Sequence, residues 1–599
     1  MAISTSFNGA TIYRPGSYSK TQVDLGGNIP LGRTGLIAIF GEADSGTPGA
    51  NEVNISNNFY TADRLVEARA KYRSGPIMEA LSFLFAPAAD GAIPSGAQTV
   101  WVYKTNASVR AEKALTGTGW CDSKVRAIEW GTGGNRATIK IEGSGSTRTI
   151  TISQKRDLIV ETATVGGNTV ITLDADDTLT ITATTVSLSV NGGTPTVLPK
   201  SDFKTIKQLV EALNLLSPTA PVAITSSIYN QLSPNVLDHV TAASSVKKDA
   251  HEVREVFAES QIANLVVTSG ATSGLPNAIA EAALTGGEKG ATTSSDITTA
   301  LTKFEKIHVN SVVPLFSRDA DDDISDSLTD EDSDYQIDAI HQAVKTHISL
   351  MKTTKQRSER QGYLSLKSSY VAAKEKAGDL ADARIQLVIQ DVRQIDAAGT
   401  IKWFQPWALA CLLAGARGGA SVGLPMTFKF LNCSGARHTD QAMTTPEEDI
   451  TLDFDPDTQY EDAIQSGVTF LEAPKTGGFR VVVDNTTYGV DDNWVYNRGN
   501  VLYAADIVAY NFRNTMETRY VGVKNTLSAN EVKSTAESVL ATFLSQGITV
   551  SSTDAAQGFK DLTVTIQGNI INITVTVKLV EGIDFVLNDI TLQRASQTA

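Results

Sequence analysis

Apolar residues along this chain change their spacing several times, and each change marks a different element. The first stretch, residues 6–19, holds Ile12, Tyr13 and Tyr18 around the kink Pro15-Gly16 and reads as a strand-like arm. Next comes the continuous run Gly35-Leu36-Ile37-Ala38-Ile39-Phe40-Gly41-Glu42, which fits a strand buried on both faces. Pro76 then stands where the first turn of a helix tolerates it, and Ile77, Leu81, Leu84 and Phe85 follow at helical spacing as far as Pro87. A strand is expected over 99–104, Thr-Val-Trp-Val-Tyr-Lys. From Gly131 to about Pro199 the pattern turns to short alternations such as Thr149-Ile150-Thr151-Ile152 and Leu179-Thr180-Ile181-Thr182. That alternation predicts antiparallel strands with one wet face. A helix is expected from Asp202, with Phe203, Ile206, Leu209, Val210 and Leu213 on one side.

Between Ile262 and Gly423 strands and helices alternate. Strands are expected at 264–267, 311–316 and 385–389, with helices near 297–307 and 337–351, the second striped by Ile337, Ile340, Val344, Ile348 and Met351. This order implies an α/β layer with a largely parallel sheet. The last third is α+β. Its best-marked helix starts at Ser528, where Glu531 completes a capping box and Leu527 can staple onto Val532, and it ends at Gly547. A hairpin-like segment at 562–579 leads to Phe585-Val586-Leu587-Asn588-Asp589-Ile590-Thr591-Leu592, which alternates before a polar tail. The fold class is therefore multidomain α/β and α+β: an α/β core with a mostly parallel sheet, an inserted antiparallel β domain, and extended strand arms at both ends. Chain ends ordinarily fray, and an unpaired strand edge is a template for another chain. Two such ends suggest a protein that links to copies of itself.

At 599 residues the chain exceeds what one core can hold, and three or four domains are expected. With 41% hydrophobic and 20% charged residues it is ordinary globular material. No apolar stretch reaches the length of a bilayer span, and the start Met-Ala-Ile-Ser-Thr-Ser-Phe lacks the regions of a secretion signal, so assembly in a cytoplasm is expected. The formal net charge of -15 argues against general nucleic-acid binding, which needs a basic footprint. Cys121, Cys411 and Cys433 are far apart and odd in number, which supports neither a disulfide framework nor a zinc ribbon.

Candidate chemistry is sparse. Gly419-Ala420-Ser421-Val422-Gly423 has the G-x-S-x-G form, but a nucleophile elbow needs a strand before it and a helix after it. Here a helical run, 407–413, comes first and Leu424-Pro425 follows, so a glycine-rich loop fits better than a catalytic serine. His251-Glu252-Val253-Arg254-Glu255 fails the zinc-protease pattern because its fifth position is Glu. Asp319, Asp321 and Asp323 are spaced like a calcium loop, yet Ile324 replaces the turn glycine and Asp330 the bidentate Glu, which leaves a solvated acidic loop. No phosphate-cradling G-x-x-x-x-G-K-[ST] occurs. No catalytic residue, metal site or cofactor is assigned. Arg498, Arg513, Arg519 and Lys524 form a basic cluster after Trp494, open to two readings: solvated side chains, or a docking face for an acidic partner.

In these segments the chain resembles the contractile tail sheath proteins of bacteriophages. The resemblance runs through Tyr13-Arg14-Pro15-Gly16-Ser17-Tyr18-Ser19, Phe40-Gly41-Glu42-Ala43, then Phe59, Leu65, Tyr72, Gly75, Ile77 and Phe85. It continues through Val100-Trp101-Val102-Tyr103-Lys104, Gly133-Gly134-Asn135, Leu284-Thr285-Gly286-Gly287-Glu288-Lys289-Gly290, Val312-Val313-Pro314, and Ala414-Gly415-Ala416 with Gly423. The long insertion, the form Trp403-Phe404-Gln405-Pro406-Trp407 and the acidic loop depart from the family. The resemblance implies a non-enzymatic subunit that stacks helically around an inner tail tube and contracts on a baseplate trigger. It implies a virion-tail location after assembly in the host cytoplasm, with the tube, baseplate and tail terminator proteins as partners and neither direct nucleic-acid contact nor membrane insertion.

It also implies that Ile12, Tyr13, Pro15, Gly16 and Tyr18 at one end, with Phe585, Val586, Leu587, Ile590 and Leu592 at the other, link neighbouring subunits. On this reading residues 1–20 are a linking arm, 21–130 the first part of an inner α/β domain and 131–250 an inserted β-rich outer domain. Residues 251–450 are then an α/β middle domain, 451–580 a tube-facing α+β core domain and 581–599 the second arm. A sheath of a phage-like bacteriocin or secretion device shares these features, and an α/β hydrolase using Ser421 is the rival from another class.

Overall fold

The apolar run at 35–42 forms the strand Leu36–Gly41, which lies inside a seven-stranded sheet. In the computed structural model the residues described are 34–155, 158–218, 221–269, 273–320, 333–438, 459–491, 493–523, 526 and 528–583, with the backbone of Thr5–Phe7 and Ala10–Ile12. Across the sheet the order is Val468–Thr469, Ile385–Val388, Gln361–Ser365, Ser311–Pro314, Leu36–Gly41, Thr99–Lys104 and Phe59–Tyr60. Every pairing is parallel except that of the edge strand Phe59–Tyr60. Both faces are covered, as a parallel sheet requires. Ile37 and Ile39 point to a core shared with the helices Pro76–Phe85 and Trp407–Gly419, whereas Ala38 and Phe40 point to one shared with Ser294–Phe304, Ile337–Met351 and Tyr370–Leu380.

Local chemistry sets these helices. Pro76 opens its helix after Gly75, whose φ of 101° a side chain would resist. The helix Trp407–Gly419 packs so closely on Pro76–Phe85 that a Cβ on Gly415 would lie 2.6 Å from the Leu84 carbonyl oxygen. Only a glycine allows that approach, which explains Ala414-Gly415-Ala416. From Leu36–Gly41 the chain winds one way to Thr99–Lys104, and from Ser311–Pro314 it winds the other way to Val468–Thr469. Residues from opposite sides of the insertion thus complete one sheet.

The insertion has its own cores. A three-stranded sheet (Ala263–Ser269, Asp122–Trp130, Arg110–Leu115) and a four-stranded sheet (Ile159–Val165, Arg148–Gln154, Ala137–Glu142, Ile279–Ala283) enclose one cluster with the helix Asp249–Glu259. Nested between residues 165 and 249 are two further sheets and the helix Ile206–Leu216, around a second cluster. The strand expected at 264–267 within the parallel layer is corrected here: it runs antiparallel to Asp122–Trp130. On one face Ala263 is fully buried, Leu265 packs on the edge of the cluster and Val267 is 40% exposed, so the strand runs out of the core toward solvent.

Where the insertion joins the body, the outgoing and returning chains run side by side. Val109 and Glu288 exchange backbone hydrogen bonds of 2.9 and 3.2 Å, and Glu112 and Thr285 exchange bonds of 2.8 and 3.1 Å. The Asn135 side chain clamps Gly287, donating to its carbonyl and accepting from its amide at 2.8 Å each. Asn106 does the same for Ala43 while also donating to the Lys289 carbonyl at 2.7 Å, and Lys289 pairs with Glu42 at 2.8 Å. Three of the segments that carry the resemblance, Glu42-Ala43, Gly133 to Asn135 and Gly286 to Gly290, therefore meet at one neck.

Candidate functional site

Of the residues read as linking arms, Ile12 ends a short strand, Ala10–Ile12, that pairs with Thr5–Phe7 in an antiparallel hairpin. Tyr13, Pro15, Gly16 and Tyr18 lie outside the described residues, as do Phe585, Val586, Leu587, Ile590 and Leu592. What is described is the surface from which the second arm departs: the hairpin Phe559–Gln567 and Ile570–Val577, and the two helices beneath it.

The hairpin turns on Gly568-Asn569, with Gly568 at φ 60° between the paired residues Gln567 and Ile570, the glycine-first two-residue turn that suits the strand twist. A bulge between Lys560 and Thr563, with Asp561 at φ 56°, bends the first strand at its root. Alternation follows. Ile571, Ile573, Val575 and Val577 turn toward the helices, and Asn572, Thr574 and Thr576 turn to solvent. Yet only Leu562 of the inward row is buried; the others stay half-exposed. Among the described residues each strand pairs only with the other, so both outer edges present free backbone donors and acceptors. A two-stranded sheet is marginal by itself, and the helices packed beneath it supply the support it needs. Beside it runs a groove of about 720 Å³ lined by Phe512, Met516, Tyr520, Val523, Ile571 and Ile573.

Two helices carry this hairpin. Ser528 caps Ala529–Ser545, its hydroxyl accepting the Glu531 N–H at 3.2 Å, which is one half of the expected capping box, while the staple residue Leu527 lies outside the described residues. Val539, Leu540 and Phe543 meet Ala504 and Val508 of the long helix Gly499–Tyr520 under the hairpin. The opposite face of that long helix is polar, and it is sewn to the amino ends of the parallel strands. Gln361 donates to the Gly499 carbonyl at 2.9 Å, Arg384 forks onto Asp506 at 3.1 and 2.6 Å, and the His308 ring stacks on Tyr510 with centroids 3.7 Å apart. Arg513 forks onto Glu359 at 2.8 and 2.6 Å, and Arg357 reaches Glu517 at 3.2 Å. Gly499, Asp506, Tyr510, Arg513 and Glu517 recur at helical spacing, so one face is a continuous polar seam. Burial pushes His308 down to about 4, so its ring is neutral in the stack at ordinary pH.

The basic cluster is thereby divided. Arg513 is engaged by Glu359, Arg519 is exposed near the end of the same helix, Arg498 precedes it, and Lys524 lies outside the described residues. Sequence reasoning missed the seam because Glu359 and Arg384 lie far from their partners in the chain. Ser421 sits in the loop that follows the helix Trp407–Gly419, not on a strand-to-helix turn. His251 and Glu255 face each other at 3.0 Å on one helix, and Asp319 accepts the Ile337 N–H at 2.7 Å ahead of another; Asp321, Asp323, Ile324 and Asp330 lie outside the described residues. Among the described residues no group of His, Cys, Asp or Glu could hold a metal, and no helix is long and apolar enough to cross a membrane.

The chain is 26% identical to the tail sheath protein of Bacillus phage SP01 over 605 residues, covering 97% of this chain and 96% of that one. Its fold is similar to that of a sheath tail protein from Listeria innocua, at a TM-score of 0.50 and 15% identity over 92% of this chain and 93% of that one. A sheath tail protein from Desulfitobacterium hafniense aligns over 94% and 96% at a TM-score of 0.49 and 16% identity. No family model matches the sequence. Along nearly its whole length, then, the chain is similar to a phage tail sheath protein, a structural protein and not an enzyme.

Proposed function

We propose that this chain is the repeating subunit of a contractile phage tail sheath. Copies polymerise helically around the inner tail tube and contract to drive that tube through the host envelope for genome delivery. The observation that carries this reading is the full-length likeness to a tail sheath protein, and the open-edged hairpin supports it by offering a place for strand addition. In the assembly, the arm residues Ile12, Tyr13 and Tyr18 of one copy and Phe585, Leu587, Ile590 and Leu592 of another add strands to neighbouring hairpins. Main-chain hydrogen bonds then hold while subunit bodies rotate, because a formed sheet keeps its register. The inner tube protein, the baseplate and the terminator are the remaining partners, and the location is the virion tail. Arg519, exposed at the end of the long helix, is the residue of the basic cluster best placed to meet an acidic tube.

Electron microscopy of the purified protein tests this directly. Hollow, striated cylinders of uniform width are expected from the full chain, and folded but dispersed subunits from chains lacking residues 1–20 or 584–599. Cylinders from either truncated chain would refute the role given to the arms. An Arg519→Glu change is expected to weaken assembly on tube protein while leaving self-assembly intact.

A further inference from the structure

A polar cleft of about 350 Å³ lies where the insertion meets the body, lined by residues of both. Arg110 and Trp130 face each other across paired strands, and the guanidinium carbon stands 4.2 Å from the indole centroid. Among the described residues no carboxylate pairs with Arg110, and its buried Nε–H has no acceptor. The buried indole N–H of Trp130 has none either. Gln154, 5% exposed, donates its amide nitrogen to Glu129 at 3.1 Å, which fixes the amide's orientation and leaves its buried oxygen without a donor. The other cations of the cleft are already matched, Arg73 by Glu129 at 3.0 Å and Lys71 by Glu52 at 2.5 Å. Unmet buried donors and acceptors are uncommon in folded proteins because each forfeits its hydration. Three around one cleft form a pattern.

Two donors, one of them a cation, beside one acceptor match a carboxylate that carries a nearby N–H. An aspartate or glutamate side chain with its own backbone amide has that form. A guanidinium stacked on an aromatic ring keeps its planar edge free for bidentate pairing. Burial, followed by the charge of Arg126, pushes the Arg110 pKa down, a strain that a carboxylate would relieve. The rim favours a macromolecule over a small solute. Leu158 and Val160 are 87% and 64% exposed at the edge strand Ile159–Val165, which has no neighbour on its outer side among the described residues. The chain itself supplies carboxylates in excess, 66 acidic residues against 51 basic ones.

We propose that this cleft receives an acidic side chain from a second copy of the chain, a contact separate from the arms that rests on the assembly reading above. The test uses full-length protein, with a 1:1 mixture of isotopically light and heavy copies for cross-linking. Arg110→Gln is expected to raise the concentration needed for assembly at least tenfold. In Arg110→Lys assemblies, carbodiimide is expected to couple the new amine to a carboxylate on a copy of the other isotope, which mass spectrometry reads. Arg110→Lys also serves if Arg110→Gln fails to fold. Cylinders of Arg110→Gln at the wild-type concentration, with no inter-copy coupling at position 110, would overturn the inference and leave the assembly reading standing. A wild-type chain that never assembles would sink that reading and the second-copy source together. Quenching of Trp130 fluorescence in dispersed protein by millimolar glutamate, lost in Trp130→Phe, would reassign the cleft to a free carboxylate and overturn the second-copy source.

Discussion

At the scale of single residues, stability rests on charges placed where water does not reach. Lys104, 1% exposed at the end of its strand, donates to the Asn106 carbonyl at 2.8 Å and to the Ser108 hydroxyl at 2.5 Å, and burial pushes it down to about 7. An unfolded lysine titrates near 10.4. Between those values the unfolded chain holds the extra proton, so this group makes stability rise with pH from about 7 to about 10, by at most ~1.4 kcal/mol per pH unit. Lys104→Met is expected to flatten that slope relative to wild type, as measured by urea unfolding at several pH values. Arg417 and Asp484 form an ion pair whose side chains are 2% and 0% exposed, and Asp484 also accepts from Met426 N and Gln386. Removing one partner of such a pair strands the other charge, so Arg417→Leu is expected to cost about 3–5 kcal/mol in chemical unfolding. Neither feature was legible in the sequence. Asp484 reads as one acid among many, and Lys104 looks like the polar end of a strand until the neck closes over it.

Elements were far more legible, because a helix or strand announces itself in the spacing of its own residues. The stripe from Ile337 to Met351 gave its helix end for end, and the expectation of a hairpin at 562–579 fell within three residues of the observed Phe559–Gln567 and Ile570–Val577. Pairing was less legible. The run at 264–267 has the same apolar residues whether its neighbour is parallel or antiparallel, and what decides is the direction of the strand Asp122–Trp130, which lies far away in the chain. The long helix Gly499–Tyr520 did not show its seam, since tyrosine and charged residues on a contact face look like a solvated surface. At the hairpin, unpaired edges and a half-exposed apolar row make a testable statement. In dispersed protein, amides along the outer edges are expected to exchange with deuterium within seconds to minutes, and in assembled protein to be protected at least a hundredfold. Equal exchange in both states would remove the hairpin from the assembly contact.

Over the whole molecule, the order of strands in the central sheet was beyond the sequence. Leu36–Gly41 and Ser311–Pro314 are adjacent in space, but the insertion lies between them in the chain, and no local pattern reports a partner at that distance. The nested cores were legible only as a change in composition, although each closes on its own hydrophobic cluster. Thr169 and Lys247 pair at the base of the inner unit, and the Gly166 and Gly167 amides donate to Glu252 and Asp249 just outside it, at 2.7 and 3.0 Å. Excising residues 170–246 and closing the gap with a short glycine-serine turn is therefore expected to leave the remainder folded. Calorimetry should show its melting within about 5 °C of the corresponding transition in the full chain, since independent sites contribute nearly additively. The neck has a practical corollary. A chain that leaves and re-enters through one hydrogen-bonded ladder, Val109 against Glu288 and Glu112 against Thr285, tolerates whatever hangs from it so long as the two ends of the hanging piece lie close together. The same two strands are thus a socket for grafted cargo, where an enzyme or an antigen could be displayed in register on every copy.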